Sequence, residues 1–187
     1  MALELINQFR SVGQHLDSTF IEPISKSIGQ PMDQTKMICV FLLQFPMGWF
    51  MHYCVHGSTM RHLYATILGL LIQLYMYGEG IKHSFVLSIV VYAMMCLLPR
   101  KKQAMYVMFF CLAYLSGQHI YRMFENFGGF DLDITTFTML LICKLSALAY
   151  CYEDGGKLQD KLTEEQKTWR VENIPNLLEY FSYVFFC

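Results

Sequence analysis

The chain is built from long runs of apolar residues separated by short polar breaks. Residues 85–98 contain no charged side chain, and the run ends at Pro99, Arg100, Lys101 and Lys102. An α-helix needs about 20 residues to cross the ~30 Å hydrocarbon core of a bilayer, and lengths from about 17 are tolerated. Flanking aromatic, histidine and lysine side chains extend slightly shorter runs into the interface. We therefore predict five transmembrane helices within residues 36–152, over residues 37–53, 63–77, 85–98, 104–121 and 134–152.

The same pattern predicts an all-α fold, a polytopic membrane helical bundle. Transmembrane strands require a sustained alternation of apolar and polar residues, which the chain lacks. Composition agrees, because 55% of the residues are hydrophobic and 16% are charged, whereas soluble domains carry roughly a quarter charged residues. The net charge of −1 does not indicate nucleic-acid binding. The partners that we expect are membrane lipids, and no nucleic acid.

Residues 1–35 differ from the apolar runs because their hydrophobic positions recur at helical spacing. An amphipathic helix is predicted here, and Pro23 predicts that it breaks. One interpretation is a helix lying in the lipid headgroup layer, and the other is a helix packed against the protein's own flank. The sequence leaves both open. The face-sharing apolar residues are Leu5, Phe9, Val12, Leu16 and Phe20.

Basic residues are unevenly divided between the two sets of loops, which predicts the orientation in the membrane. Cytoplasmic loops carry an excess of lysine and arginine, so the heavier set marks the cytosol. The N-terminus and the acidic loop with Glu125, Asp131 and Asp133 would then be lumenal. The heavier set is Arg61, Arg100, Lys101, Lys102, Lys157, Lys161, Lys167 and Arg170, and the lighter set is Arg10, Lys26, Lys36, Lys82 and Arg122.

Residues 153–176 are polar and are predicted to form a cytosolic connection with a short helix. Thr163 followed by Glu164, Glu165 and Gln166 is typical of a helix N-terminus with a threonine cap. A new apolar run begins at Leu177 and stops at Cys187. Its length, about 16 Å as a helix, is half of a bilayer core. We expect residues 177–187 to be the start of a sixth membrane helix and the sequence to be truncated.

Lys144 is the most informative single residue because it lies inside the apolar run of residues 137–150. An unpaired ammonium there costs at least about 2.5–3.5 kcal/mol on insertion scales. We expect it to face the bundle interior or a water-filled cavity and to find a partner, either Glu79, Asp133, Asp154 or a backbone carbonyl. A structural ion pair or a lysine reaching the surface are the alternatives. The candidate polar site is therefore Lys144 and Asp154, together with His119, which follows Gln118 in the fourth span.

The pattern assigns no catalytic residue, metal or cofactor. His52 and His56 are four residues apart and could share a helical face as metal ligands do. Membrane di-iron enzymes need several histidine clusters, however, and the other four histidines are isolated. The seven cysteines contain no C-x-x-C pair and are expected to pack as small hydrophobes. Nucleophile elbows, phosphate-binding glycine loops and paired carboxylates are also absent from the sequence.

The region from Asp133 to the end of the sequence carries a set of short motifs. A membrane lysine stands ten residues before an Asp-Gly pair, and polar and apolar motifs follow at short intervals. These motifs are Lys144, Asp154-Gly155, Leu162-Thr163-x-x-Gln166, Pro175-x-Leu177-Leu178-Glu179-Tyr180 and Ser182-Tyr183. They resemble the membrane-bound O-acyltransferase family, in its lysophospholipid acyltransferase branch.

Two upstream segments are similar to the members that acylate lysophosphatidylserine and lysophosphatidylethanolamine, so that the resemblance covers residues 20–187. They are Gln30-Pro31-Met32-Asp33-Gln34 and His62-Leu63-x-Ala65-Thr66-x-Leu68-Gly69-Leu70. One departure is Glu172, at a position three before the proline where the family usually has a basic residue. The family's catalytic histidine and its companion asparagine lie further toward the C-terminus than this sequence extends, so none of the six histidines is carried over.

The resemblance implies an enzyme of the endoplasmic reticulum that transfers a fatty acyl group from acyl-CoA to a lysophospholipid. Acyl-CoA is then a co-substrate and no cofactor is required, because a histidine acts as general base on the glycerol hydroxyl. The 187 residues would be the N-terminal part of such an enzyme, inactive in isolation. The alternative is a non-enzymatic membrane carrier or assembly protein with an internal polar site around Lys144.

Overall fold

The computed structural model describes residues 11–125, 134–157 and 162–186. These residues form helices, turns and loops without any strand, which confirms the predicted all-α class. The helices are α1, described over residues 11–16, then α2 (Glu22–Ile28), α3 (Met32–Cys54), α4 (Ser58–Tyr77), α5 (Ile81–Leu97), α6 (Gln103–Glu125), α7 (Ile134–Asp154), α8 (Glu164–Trp169) and α9 (Leu177–Phe185). A 3-10 turn, Gly78–Gly80, joins α4 to α5, and another, Arg100–Lys102, joins α5 to α6.

Three helical stretches in the described part of the chain are long and apolar enough to cross a membrane. They are Met32–Cys54, Ser58–Leu97 and Ile134–Asp154. The second stretch holds two of the predicted spans, α4 and α5, and the fourth predicted span lies in α6. Each predicted span thus coincides with a helix, although the number of five crossings stays a prediction. The predicted short helix of the polar connection is present as α8.

The chain divides into two compact units, residues 1–81 with 185–187, and residues 82–184. The second unit has a core made from one face of each of its long helices, with buried side chains recurring every three or four residues. Such spacing places them on a single helical stripe. The stripe residues are Leu87, Val91 and Met95 of α5, Ala104, Val107 and Cys111 of α6, Leu141, Leu145 and Ala149 of α7, and Tyr180 and Val184 of α9.

In the first unit, the predicted break at Pro23 is absent, because the N-terminal segment stays helical through this residue. It continues from α1 through a π-helical turn, Asp17–Ile21, into α2. Proline lacks the N–H that an α-helical bond would use, and the wider turn is placed just before it. In this turn the Glu22 N–H bonds the Asp17 carbonyl. Pro23 itself stands in the first turn of α2, directly after the π-helical turn, and the chain stays helical past it.

The face that this segment turns toward the protein is the opposite of the one expected for packing on the flank. Val12, Leu16 and Phe20 are exposed, whereas Gly13 and Ile21 are buried. Lys36 Nζ lies 3.0 Å from Asp17 Oδ2 and 4.0 Å from the centre of the Tyr75 ring, and the Tyr75 hydroxyl donates to Asp17 Oδ1. A polar contact therefore attaches the segment, and its outward apolar stripe favours the interpretation that it lies in the lipid headgroup layer. Leu5 and Phe9 lie outside the described residues.

Candidate functional site: a polar joint at the end of helix α7

The end of α7 and the start of α6 cap each other. The Glu153 carboxylate accepts a hydrogen bond from the Ala104 N–H at 3.2 Å, in the first turn of α6. The Arg100 side chain donates through Nε to the Tyr152 carbonyl at 2.7 Å, in the last turn of α7. Helix ends leave such groups without intrahelical partners, and an anion at the N-terminus and a cation at the C-terminus both suit the helix dipole.

Arg100 also holds the polar connection that follows α7. Its Nη2 donates to the Val171 carbonyl at 2.8 Å, and its guanidinium carbon lies 4.2 Å from the centre of the Tyr152 ring. The Val171 N–H in turn donates to the Cys151 carbonyl at 2.9 Å. The planar fork of arginine can bond two separate carbonyls at once, which a lysine cannot do with the same geometry. The turn after α5 and the extended segment before α9 are thus fastened to the end of α7.

Glycine is required at this point because the backbone and the arginine approach it closely. A Cβ atom on Gly155 would lie 2.0 Å from the Val171 oxygen and 2.6 Å from Arg100 Nη2. On Gly156 it would lie 2.7 Å from Arg100 Cδ. No larger residue fits without displacing these atoms, so Asp154-Gly155-Gly156 is more than the plain turn that its composition suggests.

Asp154 is the sequence-predicted site residue that the structure places at the centre of this region. It is buried, and its Oδ1 accepts from Lys157 Nζ at 2.7 Å while its Oδ2 accepts from Gln166 Nε2 at 3.1 Å. The hydrogen bond to Asp154 raises the pKa of Lys157 above its ordinary value, and Glu153, at 3.3 Å, adds to the effect. Two capped helices, a buried carboxylate and the connection meet here. We call Arg100, Tyr152, Asp154, Gln166 and Val171 the polar joint.

The helix α8 is positioned by the cap predicted for it. The Thr163 hydroxyl accepts from the Gln166 N–H at 3.4 Å, and the Gln166 side-chain oxygen accepts from the Thr163 N–H at 3.0 Å. This is a reciprocal capping box. Because Gln166 uses its oxygen for the cap and its nitrogen for Asp154, one side chain both starts α8 and ties it to α7.

Lys144 lies ten residues before Asp154 on α7, about 15 Å away along the helix axis. Its Nζ donates to the Tyr183 carbonyl at 3.1 Å and lies 5.6 Å from the centre of the Tyr183 ring. The Tyr183 hydroxyl donates back to the Lys144 carbonyl at 3.4 Å. Of the partners considered from the sequence, a backbone carbonyl is thus shown, and Asp133 lies outside the described residues. The lysine connects α7 to α9 and is half-buried.

Tyr180 completes the attachment of α9. Its side chain is fully buried, its hydroxyl donates to the Ser88 carbonyl at 2.7 Å, and its ring centre lies 4.8 Å from that of Tyr92. The Tyr92 hydroxyl donates to the Pro175 carbonyl at 3.3 Å. Two tyrosines therefore fix Pro175, two residues before α9, and the first turn of α9 against α5.

His119 does not join these residues. It is half-buried on α6 and has no hydrogen bond or ring contact to a described residue. The two histidines that could have shared a helical face do not, because α3 ends at Cys54 and leaves His56 outside the helix. His56 Nδ1 lies 3.2 Å from the Cys54 carbonyl, and the His52 ring contacts Tyr53. Among the described residues, no group of three or more histidine, cysteine or acidic side chains is placed to hold a metal.

Sequence reasoning missed Arg100 and Tyr180 as organising residues. Arg100 counted only toward orientation, although its position directly after a proline and the Gly155-Gly156 pair were both visible. Neither signal names the partner, since the two carbonyls that Arg100 bonds lie 52 and 71 residues away in sequence. Tyr180 belonged to a quoted motif, but its burial depends on where α9 packs.

Comparison with known proteins identifies relatives along most of the chain. No protein-family model matches it. The chain is 31% identical over 173 residues to human (Homo sapiens) membrane-bound glycerophospholipid O-acyltransferase 1, covering 89% of this chain and 35% of the relative. It is 30% identical over 172 residues to membrane-bound glycerophospholipid O-acyltransferase 2 of Gallus gallus, covering 89% and 33% respectively. The chain belongs to the membrane-bound O-acyltransferase family. It is also 27% identical over 186 residues to lysophospholipid acyltransferase 5 of Mus musculus, covering 98% of this chain and 38% of that protein.

The chain spans about a third of the length of these curated relatives. Of the motifs that carry the family resemblance, those in residues 144–183 contain residues that join the helices of its second unit. Asp154 bonds Gln166, Lys144 bonds Tyr183, and Thr163 caps α8. At the position where the family usually has a basic residue, Glu172 accepts from Arg170 Nη2 at 2.8 Å. In this chain these motif residues therefore serve as structural joints around the polar connection.

Proposed function

We propose that these residues are part of an enzyme that transfers a fatty acyl group from acyl-CoA to a lysophospholipid, in the remodelling of membrane phospholipids. The observation that carries the proposal is the similarity, over 89% of the chain, to proteins named as glycerophospholipid O-acyltransferases. The name of lysophospholipid acyltransferase 5 supports a lysophospholipid as acceptor. The family resemblance supports a location in the endoplasmic reticulum membrane, and the distribution of basic residues supports a lumenal N-terminus and a cytosolic polar joint.

In this enzyme the described residues act as a positioning scaffold. The polar joint fastens the connection between α7 and α9, and the Lys144–Tyr183 contact fixes α9 along α7. Chemistry would require a general base within hydrogen-bond reach of the acceptor hydroxyl. Because Lys144 donates to a carbonyl and Asp154 accepts from two side chains, neither is placed as that base. Since none of the six histidines matches the catalytic motif of the resembled family either, we propose that the 187-residue chain by itself is inactive.

The test is an acyl-transfer assay in membranes that lack endogenous activity. Cells would express either the complete reading frame or the 187-residue chain, and membranes would receive radiolabelled oleoyl-CoA with a panel of lysophospholipids that differ in head group. The expected result is labelled diacyl phospholipid from the complete frame only, dependent on both substrates. Release of free fatty acid without a phospholipid product would contradict the proposed acyl transfer. Turnover by the 187-residue chain alone would contradict the scaffold assignment.

The non-enzymatic alternative, a carrier with a polar site around Lys144, predicts a different result. A carrier site would move or bind a solute without consuming acyl-CoA. The structure gives Lys144 a partner from α9 within the same unit, which supports a packing contact for this lysine. Absence of any acyl product from the complete reading frame, with a folded protein in the membrane, would favour the carrier.

A further inference from the structure

The turn between α5 and α6 presents cations at the level where an apolar helix ends. The apolar run of α5 reaches Leu97, whose side chain is 83% exposed. Lys101 and Lys102 follow within five residues, in the 3-10 turn, and both are exposed. One turn into α6, Tyr106 is again an exposed aromatic residue. Two exposed lysines therefore stand, in sequence, between an exposed apolar residue and an exposed aromatic residue at the end of an apolar helix, which is the level at which the phosphates of a bilayer lie.

The positive charge of this turn is not cancelled by nearby acids. Within the described ranges, 11–125, 134–157 and 162–186, neither Lys101 nor Lys102 forms an ion pair. The two carboxylates of the neighbouring α7 terminus are already engaged, Glu153 with the Ala104 N–H and Asp154 with Gln166. Both of these acids also contact Lys157.

Arg100 has a different role in the turn from the two lysines that follow it. Its guanidinium donates to the carbonyls of Tyr152 and Val171 and so fixes the turn. Among the residues that the structure describes, no ion pair joins Arg100 to a carboxylate. Fixing the turn holds the next two side chains in place. A lysine ammonium is a compact charge that suits phosphate oxygens, and the exposed Leu97 at the end of α5 offers contact for an acyl chain.

We infer that Lys101, Lys102 and Leu97 form a binding surface for the headgroup and upper acyl chain of an anionic glycerophospholipid. The partner is a lipid and not a soluble phosphate, because the cations adjoin exposed apolar surface that only a lipid would cover. Lipid binding at this surface does not depend on the proposed acyl-transfer activity and can be measured whether or not that activity is found.

The test compares lipid preference by native mass spectrometry of the 187-residue chain released from micelles. The micelles contain equal amounts of phosphatidylserine and phosphatidylcholine. A basic residue near an anionic membrane surface contributes about 1 kcal/mol, or about fivefold in affinity. The double variant K101Q/K102Q should lower the preference for phosphatidylserine by about 25-fold. The charge-conserving variant K101R/K102R should keep it.

A matched control, K26Q/K167Q, changes the net charge by the same amount. Both of its lysines already pair with a glutamate on their own helix, so the preference should stay unchanged. An equal loss in this control would reduce the effect to net charge and overturn the proposal. Loss of bound phosphatidylserine on adding inorganic phosphate at constant ionic strength would overturn it in favour of a free-phosphate site.

A second measurement needs no variant. Raising the salt from 0.1 M to 1 M shortens the Debye length from about 10 Å to about 3 Å. In the wild-type chain the ratio of bound phosphatidylserine to bound phosphatidylcholine should therefore fall toward one. A preference unaffected by salt would show that the lysines do not carry it. Circular dichroism on every variant confirms that the helices are intact.

Discussion

Replacing Arg100 by glutamine should release the polar connection from the end of α7. A hydrogen bond to a charged group contributes about 1.5–3 kcal/mol, and Arg100 makes two, to the carbonyls of Tyr152 and Val171. Its position over the Tyr152 ring adds about 0.5–1 kcal/mol. These contacts share one side chain and do not add fully, so we expect R100Q to destabilise the closed state by about 3 kcal/mol. In the closed state the polar connection is bound to the end of α7, and in the open state it is released. That loss corresponds to about a 100-fold larger open population.

Limited proteolysis measures this opening directly, because cleavage follows the open population when closing is fast. Trypsin should cut R100Q near Lys157, Lys167 and Arg170 about two orders of magnitude faster than the wild-type chain in the same micelles. The control K101Q removes an exposed charge from the same turn and should change the rate by less than about threefold, as surface substitutions do. An R100Q cleavage rate equal to that of wild type, or to that of K101Q, would refute the conclusion that Arg100 holds the polar connection to the end of α7.

Three further predictions follow from the same structure. Gly155→Ala should destabilise the second unit by about 1–3 kcal/mol, because the added Cβ atom has no room. Gly117→Ala, whose Cβ atom would have no neighbour within 4 Å, should be neutral or stabilising by up to about 1 kcal/mol. Thermal melting of both variants distinguishes a steric effect from a general effect of replacing glycine. Lys144→Met should change the free energy of unfolding by less than about 1 kcal/mol. The variant loses a hydrogen bond of about 1.5–3 kcal/mol but also removes the cost of about 2.5–3.5 kcal/mol for placing an ammonium in an apolar span. A melting temperature lowered as much as in R100Q would contradict this balance. Since Asp154 raises the pKa of Lys157, the Lys157–Asp154 pair stabilises the protein fully below about pH 10.4 and loses its effect as the pH rises through the raised pKa. The difference in unfolding free energy between wild type and Lys157→Gln should be under about 1 kcal/mol at pH 8, because the lysine is exposed, and should vanish at strongly alkaline pH. A difference that stays constant with pH would exclude the pair.

The predicted helices agree with the structure because helix formation in lipid is decided locally. An apolar run long enough to cross a bilayer has to satisfy its backbone hydrogen bonds internally, so residues 134–152 and the helix Ile134–Asp154 coincide closely. The cap at Thr163 was equally local, since its partner Gln166 is three residues away. The break at Pro23 was predicted wrongly because a π-helical turn accommodates the proline without ending the helix.

The candidate site was predicted in part. Asp154 and Lys144 were singled out from their positions, and both lie at contacts between helices. His119 was also singled out and joins neither residue. A polar side chain in an apolar run indicates that a partner is needed, but the run itself carries no information about which helix supplies it.

The sequence by itself determined the helical class, the extent of the apolar helices, the cap of α8 and the family, because each depends on residues close together in the chain or on similarity along it. Only the tertiary structure decided that Asp17 and not the apolar stripe faces the protein. It also decided that Arg100 caps α7 and that Tyr183 receives Lys144. The latter two pairs are separated by 52 and 39 residues, and a charged side chain bonds whichever unpaired carbonyl the packing of the helices brings within reach.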